Sequence, residues 1–577
     1  MADPTQRDKV QTTRVNEIVA LCERANVDEH GPLAEAGSSA LYRSAQGLPI
    51  SRISSESEHG SDEAAAFCRG VLAQLQAIDI AALDEQPRLS TVVLRAALER
   101  RLAAARYYWY VSPVTPYRSF VGAFRLIFRS FDVDSDEART RYLSVLKDVA
   151  AFALAAKDKL AGQAARGLTI TARALPPIIA LHRAAAASDG TPFLPGTEKL
   201  AALDERACER LLRDARAVFQ HDVSPALHEL AEYIAGPYTH SACAAFGQSA
   251  YPGGTDYYAH AVRANTTLAI EPSAVHARGL AVMDELREAM SELRSRLGFH
   301  GTAQEFHRSL RADPRFVPTR PEQIGERLQF FAERADVALP ALFLRKPAAP
   351  FSTKRLSPDL EPGMTFGYYE PGAKPGECGN YVYNGSKLAE RSLLSVASLA
   401  LHELVPGHHY EINLSRENEA LPRFRAFQSL ATYIPAYHEG WAEYAADLGK
   451  ELGIYEDPYD LYGRHALDSF ISSRLVVDTG VNALGWSFDR AAEYLRENTL
   501  LSEGEIESEL LRYATDLPAQ SLSYKIGSLK FAELRERVRS QLGAAFDVRS
   551  FHDRIVRNGG MPLDVLESET LDFISDQ

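Results

Sequence analysis

Leu401-His402-Glu403-Leu404-Val405-Pro406-Gly407-His408-His409-Tyr410-Glu411 sets three imidazoles and two carboxylates close together, directly after an apolar helical run. Imidazole is the commonest transition-metal ligand, and a Glu beside it is the usual general base of a zinc hydrolase. The short H-E-x-x-H pattern places its two His on one face of a helix. Here Pro406 stands where the second His would be, and the next imidazoles are His408 and His409. Pro406 removes the hydrogen bond to the His402 carbonyl, and Gly407 is permissive. The pair predicts a bulge or broken turn that absorbs two residues. Such a break carries His408 to the place of the second ligand, with His409 as its rival. The bland alternative is a surface His cluster at a helix end, where imidazolium suits the helix dipole.

Working outward, residues 365–386 change texture. Phe366-Gly367-Tyr368-Tyr369-Glu370-Pro371-Gly372 and Gly379-Asn380-Tyr381-Val382-Tyr383-Asn384-Gly385 flank a Pro/Gly turn with aromatic and β-branched residues. They predict a small hairpin whose edge lies beside the site. An extended substrate would pair with such an edge, which makes Tyr383 and Asn384 candidate substrate contacts; a purely structural hairpin is the alternative. Ser386 is the expected N-cap of a helix through 393–404. Downstream, Pro435 opens Ala436-Tyr437-His438-Glu439-Gly440-Trp441-Ala442-Glu443-Tyr444-Ala445, where Glu439 and Glu443 share a face. A carboxylate on a second helix completes three protein ligands and leaves a position for water. Tyr437, Trp441 and Tyr444 imply burial, which makes a bound cation a natural partner for a Glu that would otherwise be costly there.

The rest of the chain is helical in texture. Residues 62–75, 89–108, 135–160, 168–186 and 199–234 carry apolar residues at three- and four-residue spacing, and 271–297 and 321–338 continue the pattern. Tyr107-Tyr108-Trp109-Tyr110 reads as a packing cluster. Ser502-Glu503-Gly504-Glu505 is a capping box, and 518–527 and 551–557 open later helices. The fold class is therefore mainly α. The expected organisation is an N-terminal helix with a flexible segment over 1–60, then one domain over 61–577 with sub-lobes at 61–345 and 346–577.

Of 577 residues, 46% are hydrophobic and 24% charged, an ordinary globular composition. A net charge of −14 argues against nucleic acid or an anionic membrane as partner. Five scattered cysteines without a C-x-x-C pair indicate a reducing compartment. The first residues lack an apolar core and no stretch approaches a membrane span, so the expected location is cytoplasmic.

Several stretches of the second half carry a family resemblance. They are Gly379–Asn384, His402–His409, Glu439-Gly440-Trp441-Ala442, Val477-Asp478-Thr479-Gly480 with Gly485-Trp486, Ser523-Tyr524-Lys525-Ile526-Gly527 and Phe546–Asp553. The chain resembles the bacterial domain-of-unknown-function 885 family, grouped with gluzincin-type zinc metallopeptidases. The resemblance implies a large helical fold with a deep cleft, one zinc ion on His402, His408 and Glu439, and Glu403 as the base. It also implies Tyr524 at the developing oxyanion, and Lys525 or Arg474 near a substrate carboxylate. The family pattern carries a His near Gly480 where this chain has Asn482. The expected function is zinc-dependent hydrolysis of an amide bond in a small peptide or peptide-like compound by metal-activated water. One alternative is a metalloenzyme acting on a single amide or acylated metabolite; another is an inactive binding protein. A homodimer is left open.

Overall fold

Chain texture and burial together give two compact units in the computed structural model, residues 1–257 with 514–516, and residues 258–513 with 517–577. The structure describes residues 4–575 apart from 35–39, 41–42, 44–47, 56, 117–118, 359–360, 362–365 and 430–431, with side chains from residue 8 to residue 571. Thr365, the first residue of the predicted hairpin segment, lies outside the described residues.

In the first unit the expected helices form with their ends shifted by a few residues, as Glu58–Gln76, Glu85–Ala105, Asp136–Ala165 and Leu175–Ala186. Ser57 and Ser135 accept hydrogen bonds from the first-turn N–H groups, which fixes two of these starts. The stretch read as one helix over 199–234 is divided: Asp204 caps Glu205–Val218, a π-turn covers Phe219–Val223, and Ser224–Tyr233 continues beyond it. The N-terminal segment belongs to this unit. Val15, Ile18, Val19 and Cys22 of the Pro4–Val27 helix are buried, and the Ile53 N–H donates to Asp148 at 2.8 Å. Tyr107–Tyr110 pack as read, with Tyr110 stacked on Tyr257 and the Arg166 guanidinium 3.8 Å over the Trp109 ring.

The second unit holds the motif-bearing elements. A three-stranded sheet comprises β1 (Phe351–Arg355), β2 (Gly367–Glu370) and β3 (Gly379–Tyr383) in the order β1-β3-β2. β2 and β3 are the antiparallel arms of the expected hairpin, and β1 joins β3 in parallel register from Phe351 opposite Gly379. β3 is thus the middle strand, and the free edges belong to β1 and β2. The helices that position the site are α1 (Val396–Glu403), α2 (His408–Glu417), α3 (Pro435–Asp447), α4 (Pro458–Asn482), α5 (Glu503–Leu511) and α6 (Leu522–Leu542). α1 starts at Ser395 and not at Ser386, whose N–H and hydroxyl are taken by the Asn384 side-chain oxygen.

α4 opens on the Asp457 cap with Pro458 in its first turn, and nearly every residue beyond Tyr462 is buried. Arg464, Asp468 and Ser472 recur at four-residue spacing and form a polar line down this buried helix. The Pro272–Arg296 helix lies along α4, where a Cβ on Gly279 would come within 2.7 Å of Leu475 Cβ. That packing draws residues 258–345 into the second unit, so the units divide after Tyr257 and not at the sub-lobe boundary of 345–346. α3 and α6 approach until their backbones touch: a Cβ on Gly440 would sit 2.4 Å from the Gly527 Cα.

Candidate metal centre

α1 ends at Glu403 and a new helix begins at His408, so the break is complete and not a bulge. Between them the Val405–Pro406 peptide is cis. Gly407 passes so close to α1 that a Cβ there would lie 1.8 Å from the His402 carbonyl oxygen, a place only glycine fits. The Trp441 indole N–H donates to the Pro406 carbonyl at 2.9 Å and ties the turn to α3.

The break brings the His402 and His408 rings together, perpendicular with centroids 4.9 Å apart. His409 turns away. One of its nitrogens lies 3.1 Å from the Ala349 carbonyl oxygen and the other 3.0 Å from the Tyr369 hydroxyl, so the ring donates to the first and accepts from the second. Both nitrogens are thereby engaged, and burial holds the imidazolium down to about 4. Of the two rivals, His408 is the one at the cluster.

Glu439 arrives from α3. Its Oε2 lies 3.6 Å from His402 Nε2 and 3.3 Å from His408 Nε2, and one ligand atom from each of the three residues falls within 4.8 Å of the others. Two donors on one tetrahedral zinc stand about 3.3 Å apart, given bonds of about 2.0–2.1 Å. The donor set and its spacing therefore fit a zinc ion. The charge pattern agrees. Burial alone would lower the His402 imidazolium, but hydrogen bonds to Glu439 and Glu443 outweigh it and raise the group to about 10. Burial would likewise raise the Glu439 carboxyl, but the two imidazoles hold it well below the usual carboxylate range. This environment favours positive charge between the three side chains.

Glu443, one turn beyond Glu439, has a different task. Its Oε1 accepts from His402 Nδ1 at 3.0 Å and its Oε2 from Arg464 Nη1 at 3.0 Å. It fixes the tautomer that leaves His402 Nε2 facing Glu439 and His408. Glu403 is half-buried next to both imidazoles, and no hydrogen bond holds its carboxylate among the described residues. Burial raises its carboxyl above the ordinary value, against the opposing pull of His402 and His408. The buried Tyr381 of β3 also faces Glu403, and the two anionic forms oppose each other electrostatically.

The Tyr524 ring lies parallel to His402 with centroids 6.1 Å apart. Burial and then the Glu439 charge push its hydroxyl up to about 12, so the phenol is a proton donor at neutral pH. Arg474 stacks between Phe470 and Tyr524, at 4.3 and 4.8 Å from the ring centres, and pairs with Glu509 at 3.1 Å. Arg512, from the turn after α5, reaches the same Glu509 and hydrogen-bonds Tyr524.

The other sequence-predicted substrate contacts, like Arg474, are engaged within the fold. The Lys525 ammonium is buried against Asp468 at 2.6 Å. Asn384 donates to the Glu361 carbonyl and shapes the exit from β3. Tyr383 lies over Gly325, where a Cβ would come within 2.6 Å of its ring. Asn482, where the resemblance implies a His, is buried and donates to Asp478 and to the Tyr513 carbonyl. Sequence reasoning missed Arg464, Arg512, Tyr381 and Tyr433. Spacing carries no signal for the first three, which reach the site from other elements. Tyr433 precedes α3 by only two residues, and its signal was proximity to Pro435.

A family model described as a bacterial protein of unknown function, DUF885, matches residues 41–569. A solved structure from Colwellia psychrerythraea, described as a "putative lipoprotein", superposes with a TM-score of 0.86 at 22% identity and covers 98% of this chain and 100% of its own. A second from Shewanella oneidensis, with the same description and of unknown function, gives a TM-score of 0.68 at 15% identity over 93% of this chain and 100% of its own. These likenesses show a shared fold. No curated protein matches the chain. The match over most of its length shows that the chain belongs to the DUF885 family.

Proposed function

We propose that the chain is a zinc-dependent hydrolase that cleaves an amide bond in a small peptide or peptide-like substrate. The convergence of His402, His408 and Glu439, with Glu403 beside them, carries the reading. A zinc ion held by these three side chains supplies a Lewis acid that makes water nucleophilic at neutral pH. Glu403, beside both imidazoles and free of hydrogen-bond partners among the described residues, takes the proton of the attacking water and delivers it to the leaving amine; burial, which raises its carboxyl above the ordinary value, suits a proton carrier. Tyr524, protonated and fixed by the Arg474 stack, donates a hydrogen bond to the oxyanion that develops on the carbonyl. Arg512 donates to the Tyr524 oxygen and so leaves the phenolic proton available for that bond.

The test is metal content by mass spectrometry on untagged, chelator-free protein. About one zinc per chain is expected for a mononuclear site, lost in His408→Ala and in Glu439→Ala. Glu403→Gln is expected to keep the zinc and to lose turnover of short peptides by a factor of about 10²–10⁴, the usual worth of a general base. Parent protein without stoichiometric zinc would overturn the reading, and an active Glu403→Gln variant would remove Glu403 from the base's role.

A further inference from the structure

We infer that Tyr433 is a positioning residue for Glu439, set on a platform made by Glu411 and His438; the inference rests on reading the cluster as a metal centre. Tyr433 precedes α3 by two residues, and its hydroxyl donates to Glu439 Oε1 at 3.2 Å. The other oxygen, Oε2, is the one that faces both His402 and His408. Glu439 is thus divided: one oxygen toward the cluster, one capped by a phenol. If a zinc ion were held here, a donor on the outer oxygen would favour Glu439 binding it through the inner oxygen alone.

The Tyr433 ring is fixed from behind. His438 lies parallel beneath it at 4.8 Å with 12° between the planes. His438 is wholly buried, and its Nδ1 is 2.8 Å from Glu411 Oε1, itself buried. On the other side Gly560 presses against the imidazole, since a Cβ there would lie 2.6 Å from Nε2. The ring therefore has no room to tilt. Glu411 stands one turn after the ligand His408 on α2, and His438 immediately precedes the ligand Glu439 on α3. The Glu411–His438 contact ties together, behind the cluster, the two helices that present two of its ligands. Tyr433 is 41% exposed, so its outer face meets solvent while its hydroxyl turns inward. That combination separates it from the core tyrosines.

The experiment is zinc affinity by chelator competition on the full chain, parent against Tyr433→Phe, with the melting temperature of each metal-free protein alongside. The phenylalanine keeps the stack on His438 and removes only the hydroxyl. The expected result is a zinc Kd raised 10- to 100-fold, the usual effect of losing an outer-shell partner, in a metal-free protein that still unfolds cooperatively. Zinc affinity within twofold of the parent overturns the inference and leaves the hydrolase reading standing, even if turnover falls, because the hydroxyl would then act on substrate and not through Glu439. A parent that binds no zinc overturns both.

Discussion

Glu443 and Glu439 occupy the same face of one helix, one turn apart, and do different work. Glu443 is closed off by His402 on one oxygen and Arg464 on the other, and all three side chains are buried. Removing it in Glu443→Ala takes the nearest carboxylate from the Arg464 guanidinium and leaves Asp447 and Asp468 farther off, at 3.5 and 3.8 Å. Breaking a buried pair in this way costs about 3–5 kcal/mol, to be read by chemical denaturation of the metal-free protein. The same variant frees His402 to take the wrong tautomer, and zinc affinity is expected to fall 10- to 100-fold. Unchanged stability and affinity would show that Glu443 is a bystander. The carboxylate pair was legible in the sequence because a four-residue spacing puts both on one face. Spacing alone did not say which of the two turns to His402 and His408; only the family resemblance named Glu439, and Arg464 claims Glu443 from a different helix. The choice between His408 and His409 was open for the same reason: Ala349 and Tyr369 claim His409 from the sheet side.

At the level of elements, the crossing of α3 and α6 sets the distance between Glu439 and Tyr524. Gly440 and Gly527 meet there, and a Cβ on Gly527 would lie 2.0 Å from the Ala436 carbonyl oxygen. Gly440→Ala must therefore push the helices apart, at about 1–3 kcal/mol for an overpacked contact. The Glu439 side of the cluster is anchored to α1 and α2, whereas Tyr524 rides on α6. The variant is expected to keep zinc near parental affinity and to lose kcat, measured by metal titration and peptide turnover on one preparation. Equal loss of zinc and of turnover would contradict this division. Nothing in the sequence announced the crossing, since a glycine inside a helical pattern reads only as a weak point. Other elements were legible because their signals are local. Pro406-Gly407 marked the break, Ser502 with Glu505 marked the start of α5, and the aromatic arms around a Pro/Gly turn marked β2 and β3. β1 escaped notice because five residues with a Lys-Arg end carry little strand signal, and parallel pairing with β3 is a long-range choice.

Across the second unit, the titrating groups work in opposite directions on the two sides of neutrality. His307, His409, His465 and His552 are each pushed down to about 4, first of all by burial. Their unfolded value is about 6.5. Between 6.5 and 4 the unfolded chain binds protons that the folded one refuses, so stability falls as pH drops through that window. Asp460 and Asp478, raised to about 6 by burial, oppose this, since their folded forms hold protons that the unfolded chain releases above about 4. Glu403, also raised by burial, joins these two, and His276, also lowered by burial, joins the four; the lowered imidazoles still outnumber the raised carboxyls, and the acid loss wins. His402 and His408 run the other way. Their folded values are raised, so their stabilisation is complete below 6.5 and is lost as pH climbs through the folded value, about 10 for His402. On the proposed reading zinc would compete with protons for these same nitrogens, and its hold would strengthen as pH rises. Metal-free protein is therefore expected to melt highest near pH 6.5 and lower on both sides. Zinc-loaded protein is expected to share the acid limb and to lack the decline above 6.5. Melting temperatures of both forms from pH 4.5 to 9 decide it. An acid limb that is flat would refute the burial argument. Identical behaviour of the two forms above pH 6.5 would show that zinc and protons do not share the His402–His408–Glu439 cluster.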